Sequence, residues 1–203
     1  MRAEIHKNKS MDKDLEFLLD CTNEQLKTLA DTLSYDEKGC PRIGESLTKR
    51  KGYAQDYPDE MNKLVPYIVD ELLKYGDNFS KFTGGIIPKS SKNISYRELL
   101  TGVCDQFKVK YNDYNSVEEI ESFFMREVLH LSPKNTITDE DIEHVVNKRS
   151  RKEDLKNIIG ALLADPLLVN EIVNPSYKIV APCVVIIAKY RFDHNNEINN
   201  LEE

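Results

Sequence analysis

At the mouth of four of its apolar stripes the chain sets a Ser or Thr three residues ahead of a Gln, Glu or Asp in the pairs Thr22 with Gln25, Ser95 with Glu98, Ser116 with Glu119 and Thr138 with Asp141, and Ser150 stands likewise before Glu153. In such a pair the hydroxyl accepts from a backbone N–H inside the first helical turn, and the partner side chain reaches back to the N–H of the capping residue. Groups that a helix start leaves orphaned are then satisfied together. The stripes that follow repeat at three and four residues, the period of a helix and not of a strand. Leu26, Leu29, Ala30 and Leu33 follow the first pair; Leu99, Leu100, Val103, Cys104 and Phe107 follow the second. Ile120, Phe123, Phe124 and Val128 run from the third towards Leu131 and stop before Pro133, while Ile142, Val145 and Val146 follow the fourth. A chain punctuated in this way is expected to be all-α, a small N-terminal helical hairpin packed on a body of about five or six helices.

Other stripes are read from their spacing. Leu15, Leu18 and Leu19 share one helical face, so a short amphipathic helix precedes Thr22, and Gly39 after Lys38 suits a chain reversal beyond the second helix. Residues 40–57 hold no firm periodicity and form a connecting loop or one weak helix around Ile43 to Leu47. Met61, Leu64, Val65, Ile68, Val69, Leu72 and Leu73 then keep one stripe; Pro66 within it predicts a kink or a helix that begins there, and Gly76 predicts its stop. Residues 76–93, with Gly84, Gly85 and Pro88, make the longest irregular segment. Leu155, Ile158, Ile159, Leu162 and Leu163 mark a further helix; Asp165-Pro166 reads as a cap and first turn, and Asn174-Pro175 as an end. The run Ile179 to Ala188 is continuously apolar and rich in β-branched residues, yet well short of the roughly 20 residues a membrane helix needs. It reads as a buried terminal helix or strand, or as a surface that docks on a membrane or a partner. The boundaries that follow are a loose tail over 1–11, an N-terminal module over 12–47, a helical domain over 58–191 and a polar tail over 192–203.

With 203 residues, 40% of them hydrophobic and 31% charged, the chain can bury a full core and is not expected to be disordered. Its 28 basic and 35 acidic residues leave a net charge of -7, which disfavours binding along a nucleic-acid duplex, where a basic face must displace counterions. Cys21, Cys40, Cys104 and Cys183 stand singly, so they predict no disulfide framework; all but Cys40 lie among apolar residues as small hydrophobes. The first ten residues carry Arg2, Lys7 and Lys9 with no apolar stretch behind them, unlike a signal peptide or anchor, and a cytoplasmic location is expected.

The chain shows no motif for a nucleophile, a phosphate loop or a metal, and no cofactor is expected. His144 follows Glu140 and Asp141 on one helix face, half of a di-iron pattern without the second half; an acidic helix start accounts for it. The basic run Lys148, Arg149, Arg151, Lys152 could hold a phosphate, a lipid head group or an acidic segment, or could serve only to complement one helix end and open the next. Lys49 to Lys51 form a second, shorter basic cluster.

The run from Asp14 to Leu19, with Cys21, Glu24, Gln25, Leu26, Leu33, Glu37, Lys38, Gly39 and Arg42, resembles the short N-terminal domain of the uncharacterised bacterial YaaW-like family. Leu72, Tyr75, Gly76, Tyr96, Leu99, Leu100, Val103 and Lys108 resemble its central block, and Tyr177 to Pro182 with Arg191 its C-terminal segment. The chain departs from that pattern after Asn78 and lacks most of a long glycine-rich apolar stretch before the C-terminal segment, which argues against an inherited membrane role. The resemblance implies a distant link to the ubiquinol-cytochrome c chaperones, all-helical assembly factors, and brings no catalytic residues.

These features lead to the expectation of a non-enzymatic adaptor or chaperone-like assembly factor that binds another protein through Lys38, Gly39 and Arg42, with self-association compatible. A peripheral membrane protein using 179–188 and the basic 148–152 cluster is the alternative. A helical enzyme, resting on 76–93 as an active-site lid and on His144, is the third.

Overall fold

A computed structural model describes residues 11–35, 40, 47, 60–80, 94–128 and 177–202. Among them it is all-α, with an isolated bridge at Tyr35 and no strand. A 3-10 helix, Lys13–Asp20, leads into α1 (Asn23–Ser34); a short 3-10 turn, Met61–Leu64, leads into α2 (Val65–Ser80); then come α3 (Tyr96–Gln106), α4 (Val117–Val128) and α5 (Tyr177–Glu202). The reciprocal hydrogen bonds expected of Thr22 with Gln25 and Ser95 with Glu98 are both formed. Ser116 and Glu119 bond each other's backbone N–H in the same way at the mouth of α4.

α5 is the axis of the assembly, and α1, α2, α3, α4 and the N-terminal 3-10 helix all pack against it. Residues 180–187 are all buried, so this stretch has no polar face, as a helix enclosed on every side requires. The run over 179–188 is therefore helix, not strand, and the reading of it as a membrane-docking surface is corrected: Val184 and Ile186 are 0% exposed, held under neighbouring helices. The same helix continues through the polar stretch after 192 to Glu202. Among the described residues no helix is long and apolar enough to cross a membrane.

Two further expectations change. Gly76 does not stop α2, which runs on to Ser80 and takes in the first residues of the expected 76–93 loop. A Cβ there would lie 2.4 Å from Ile94 Cδ1 and 2.8 Å from Leu99 Cδ1, so this glycine lets α2 and the start of α3 approach closely. The stretch before Thr22 is a 3-10 helix rather than an α-helix; Leu15 and Leu18 are fully buried while Leu19 is 46% exposed. Pro66 sits at the second position of α2, where a missing N–H costs little, so it marks a helix start and not a kink.

Candidate functional site

Below its apolar stretch α5 carries Arg191, which is 7% exposed. A buried guanidinium is costly unless charge and hydrogen bonds surround it. Arg191 Nε donates to Glu121 Oε2 at 2.8 Å, and its Nη2 donates to Glu121 Oε1 at 3.3 Å. Glu121 is itself 3% exposed and projects from the same face of α4 as Val117, Ile120 and Phe124. Its Oε1 also accepts from the Tyr96 hydroxyl at 2.8 Å, at the first turn of α3. Arg191 Nη2 reaches one element further and donates to the Asp14 carbonyl of the N-terminal 3-10 helix. The guanidinium stands 4.3 Å from the centroid of the Phe17 ring, a cation–π contact.

Asp12 adds a second tie between the same segments. One carboxylate oxygen accepts from Asp14 N at 3.0 Å and caps its own 3-10 helix. The other accepts from Tyr96 N at 2.7 Å, an orphan donor at the start of α3, so one carboxylate faces the positive ends of two helices. The Asn23 side chain makes a third tie, accepting from Met61 N at 2.9 Å.

Burial raises the Glu121 carboxyl above its usual range, against the pull of Arg191 and the Tyr96 hydroxyl. Burial and the nearby Asp12 raise Asp14, with Arg191 opposing. For Arg191 burial acts downward, but Glu121 outweighs it and the guanidinium is held charged. The Tyr96 hydroxyl is pushed well up by burial and by the Glu121 charge, so it is a firm donor and a poor acid. The cluster is thus a closed clamp whose chemistry is attachment: it fastens the N-terminal module to α3, α4 and α5. Cys104 offers no reactive thiol, since burial and Asp105 push it up to about 12.

Cys40 is exposed as expected, and Cys104 and Cys183 are buried. Lys38, Gly39, Arg42, Lys148, Arg149, Arg151, Lys152 and His144 lie outside the described residues. Arg191 enters the sequence reading only through the family resemblance and Glu121 not at all, and neither was given a role. Glu121 is four residues after Val117 and three before Phe124, and Arg191 is four after Ile187, so each is a charge on an apolar stripe. That placement was the available signal, because a charge on a core face needs a partner.

The class of protein that emerges is an all-α body carrying a clamped N-terminal module, and residues 11–43 match a family described as "Domain of unknown function (DUF3944)". The chain is similar to the UPF0174 protein of Helicobacter pylori strain J99, 31% identical over 142 residues, or 70% of this chain and 53% of the relative. It is also similar to the UPF0174 protein YaaW of Escherichia coli, in strains O157:H7 and K12, 26% identical over 160 residues, or 77% of this chain and 65% of the relative. These similarities support the resemblance to YaaW-like bacterial proteins, and the chain spans about half to two thirds of these relatives' length. No solved structure matches the chain.

Proposed function

We propose that the protein acts by binding another protein, as a non-enzymatic adaptor or chaperone-like assembly factor, with the N-terminal module as the contact. The observation that carries this reading is the division of labour within the module that the family match covers. Its inner residues, Leu15, Leu18, Leu26, Leu29 and Leu33, are fully buried, and Asp12, Asp14 and Phe17 are engaged by α3 and α5. Its outer row, Lys13, Glu16 and Leu19, faces solvent. A surface held by a buried clamp loses little conformational entropy when a partner binds, which is what a recognition edge requires. Lys38, Gly39 and Arg42 follow α1 in sequence within the same family match and complete the proposed contact. The test is a crosslinking pull-down of the tagged chain from its native cells, with Lys38→Glu/Arg42→Glu and Leu19→Glu variants alongside. A specific protein recovered with the wild type and lost from a folded variant supports the reading; equal recovery with every variant, or none with any, contradicts it.

A further inference from the structure

The segment Lys13–Asp20 is eight residues of continuous 3-10 helix, whereas such runs rarely exceed about four because their hydrogen bonds are poorly aligned. Its sequence favours the other register. Leu15, Leu18 and Leu19 form one stripe when wound at about 100° per residue, with Leu19 only about 40° from Leu15. Wound at about 120° per residue, Leu19 swings about 120° away from Leu15. The structure shows the second arrangement, with Leu15 and Leu18 0% exposed and Leu19 46% exposed. Hydrophobic pattern and local geometry disagree here, so an interaction outside the segment must select the register.

Contacts from outside the segment grip it from its N-cap to Phe17. Asp12, its N-cap, is tied by its free carboxylate oxygen to Tyr96 N. Arg191 Nη2 takes the Asp14 carbonyl, and the same guanidinium covers Phe17. A 3-10 helix of this length is about 4 Å longer than the α-helix of the same residues, so anchors that fix its position and carbonyl directions oppose its shortening. We propose that Arg191 is a register latch: while it holds Asp14 and Phe17 the segment stays 3-10 and presents Leu19 outward, and when it lets go the segment rewinds as an α-helix and draws Leu19 in beside Leu15. A residue of the C-terminal helix thereby decides whether an apolar side chain of the N-terminal module is shown or withdrawn. The device stands whatever molecule Leu19 meets.

NMR on the full chain tests it, because close contacts from the α proton of residue i to the amide of i+2 mark a 3-10 helix and those to i+4 mark an α-helix. The wild type is expected to show the i+2 pattern over 13–20. Arg191→Lys keeps a charge opposite Glu121 but loses the fork that reaches Asp14, and is expected to show the i+4 pattern with the Leu19 methyls shielded from solvent. Adding Leu19→Glu to each background gives the second reading. It is expected to leave the wild-type urea midpoint nearly unchanged and to lower that of Arg191→Lys clearly, because only the α register would bury the new charge. An i+4 pattern in the wild type, an unchanged i+2 pattern in Arg191→Lys, or equal effects of Leu19→Glu in both backgrounds would overturn the proposal. Failure of Arg191→Lys to fold, together with Asp12→Asn, would also overturn it, since the clamp would then be a condition of folding and not a selector of register.

Discussion

Two successive stretches of α5 are buried by opposite means. Residues 180–187 are enclosed by apolar neighbours and hold their place by the loss of water from their surface; a fully buried Val or Ile contributes roughly 1.5–3 kcal/mol in this way. One turn later Arg191 is buried through Glu121, Tyr96 and the Asp14 carbonyl, where desolvation and attraction nearly cancel. The difference lies in what each can lose. The apolar stretch is non-directional, so a slightly smaller side chain leaves a small cavity and the same fold. The clamp is directional, so removing one member strands the others as uncompensated buried charge, and the module they fasten loses its seat.

That contrast breaks most visibly at Arg191. Arg191→Met is expected to cost about 3–5 kcal/mol in urea unfolding, because Glu121 is left charged and unpaired in the core. A cost below about 1 kcal/mol would show that water reaches Glu121 and that the clamp is not dry. Gly76→Ala, at the close approach of α2 to the side-chain ends of Ile94 and Leu99, is expected to cost no more than about 2 kcal/mol, because the repacking is offset by the roughly 1 kcal/mol that alanine gains over glycine inside a helix. On the apolar side, Ile186→Val is expected to cost only about 0.5–1.5 kcal/mol by the same measurement. The smallest effect sharpens the comparison best. The triple replacement Arg191→Met, Glu121→Leu, Tyr96→Phe removes the buried ion pair and its hydroxyl donor together, leaving only the half-exposed Glu118 carboxylate 3.9 Å from the former guanidinium, and is expected to return stability to within about 1 kcal/mol of wild type or above it. If the triple variant were as unstable as Arg191→Met alone, the loss would come from shape and not from stranded charge.

A pH series separates the two regions independently. The apolar stretch carries no carboxylate or imidazole. Glu121 has a folded value raised above its ordinary 4.5, so the folded chain keeps a proton that the unfolded chain releases. Its contribution is therefore fully present below 4.5 and is lost as pH rises through the raised folded value. Wild-type stability relative to Glu121→Gln should fall with rising pH across that window and be flat above it. A relative stability that rises with pH there would mean that Arg191 outweighs burial at Glu121.

The capped helix starts at Thr22, Ser95 and Ser116 were legible because a capping pair lies within four residues and its bonds are local. The all-α class followed from the stripes behind them. Gly76 was misread because its reason is a contact with Ile94 and Leu99 from beyond the helix, and glycine as a stop and glycine as a point of close approach look alike in sequence. The β-branched run of 179–188 left helix and strand open, since a stretch buried on every side carries no periodicity. The clamp was the least legible feature. Tyr96 and Glu121 are 25 residues apart and Glu121 and Arg191 are 70 apart, so only packing brings them together. The proposed contacts at Lys38, Gly39 and Arg42 rest on sequence alone, outside the described residues.

The central claim is that, with Arg191 engaged, the N-terminal module is fastened to the body and unfolds only with it. Native-state hydrogen exchange of the wild-type chain tests it most directly, by comparing the opening free energies of the Leu15, Leu18, Leu29 and Leu33 amides with those of Val184 to Ile187 in α5. The account predicts that both sets exchange only through the same global opening, with the same free energy and the same urea dependence. Module amides that open well below the α5 amides, with a small urea dependence, would show a module that detaches on its own and would contradict the clamp.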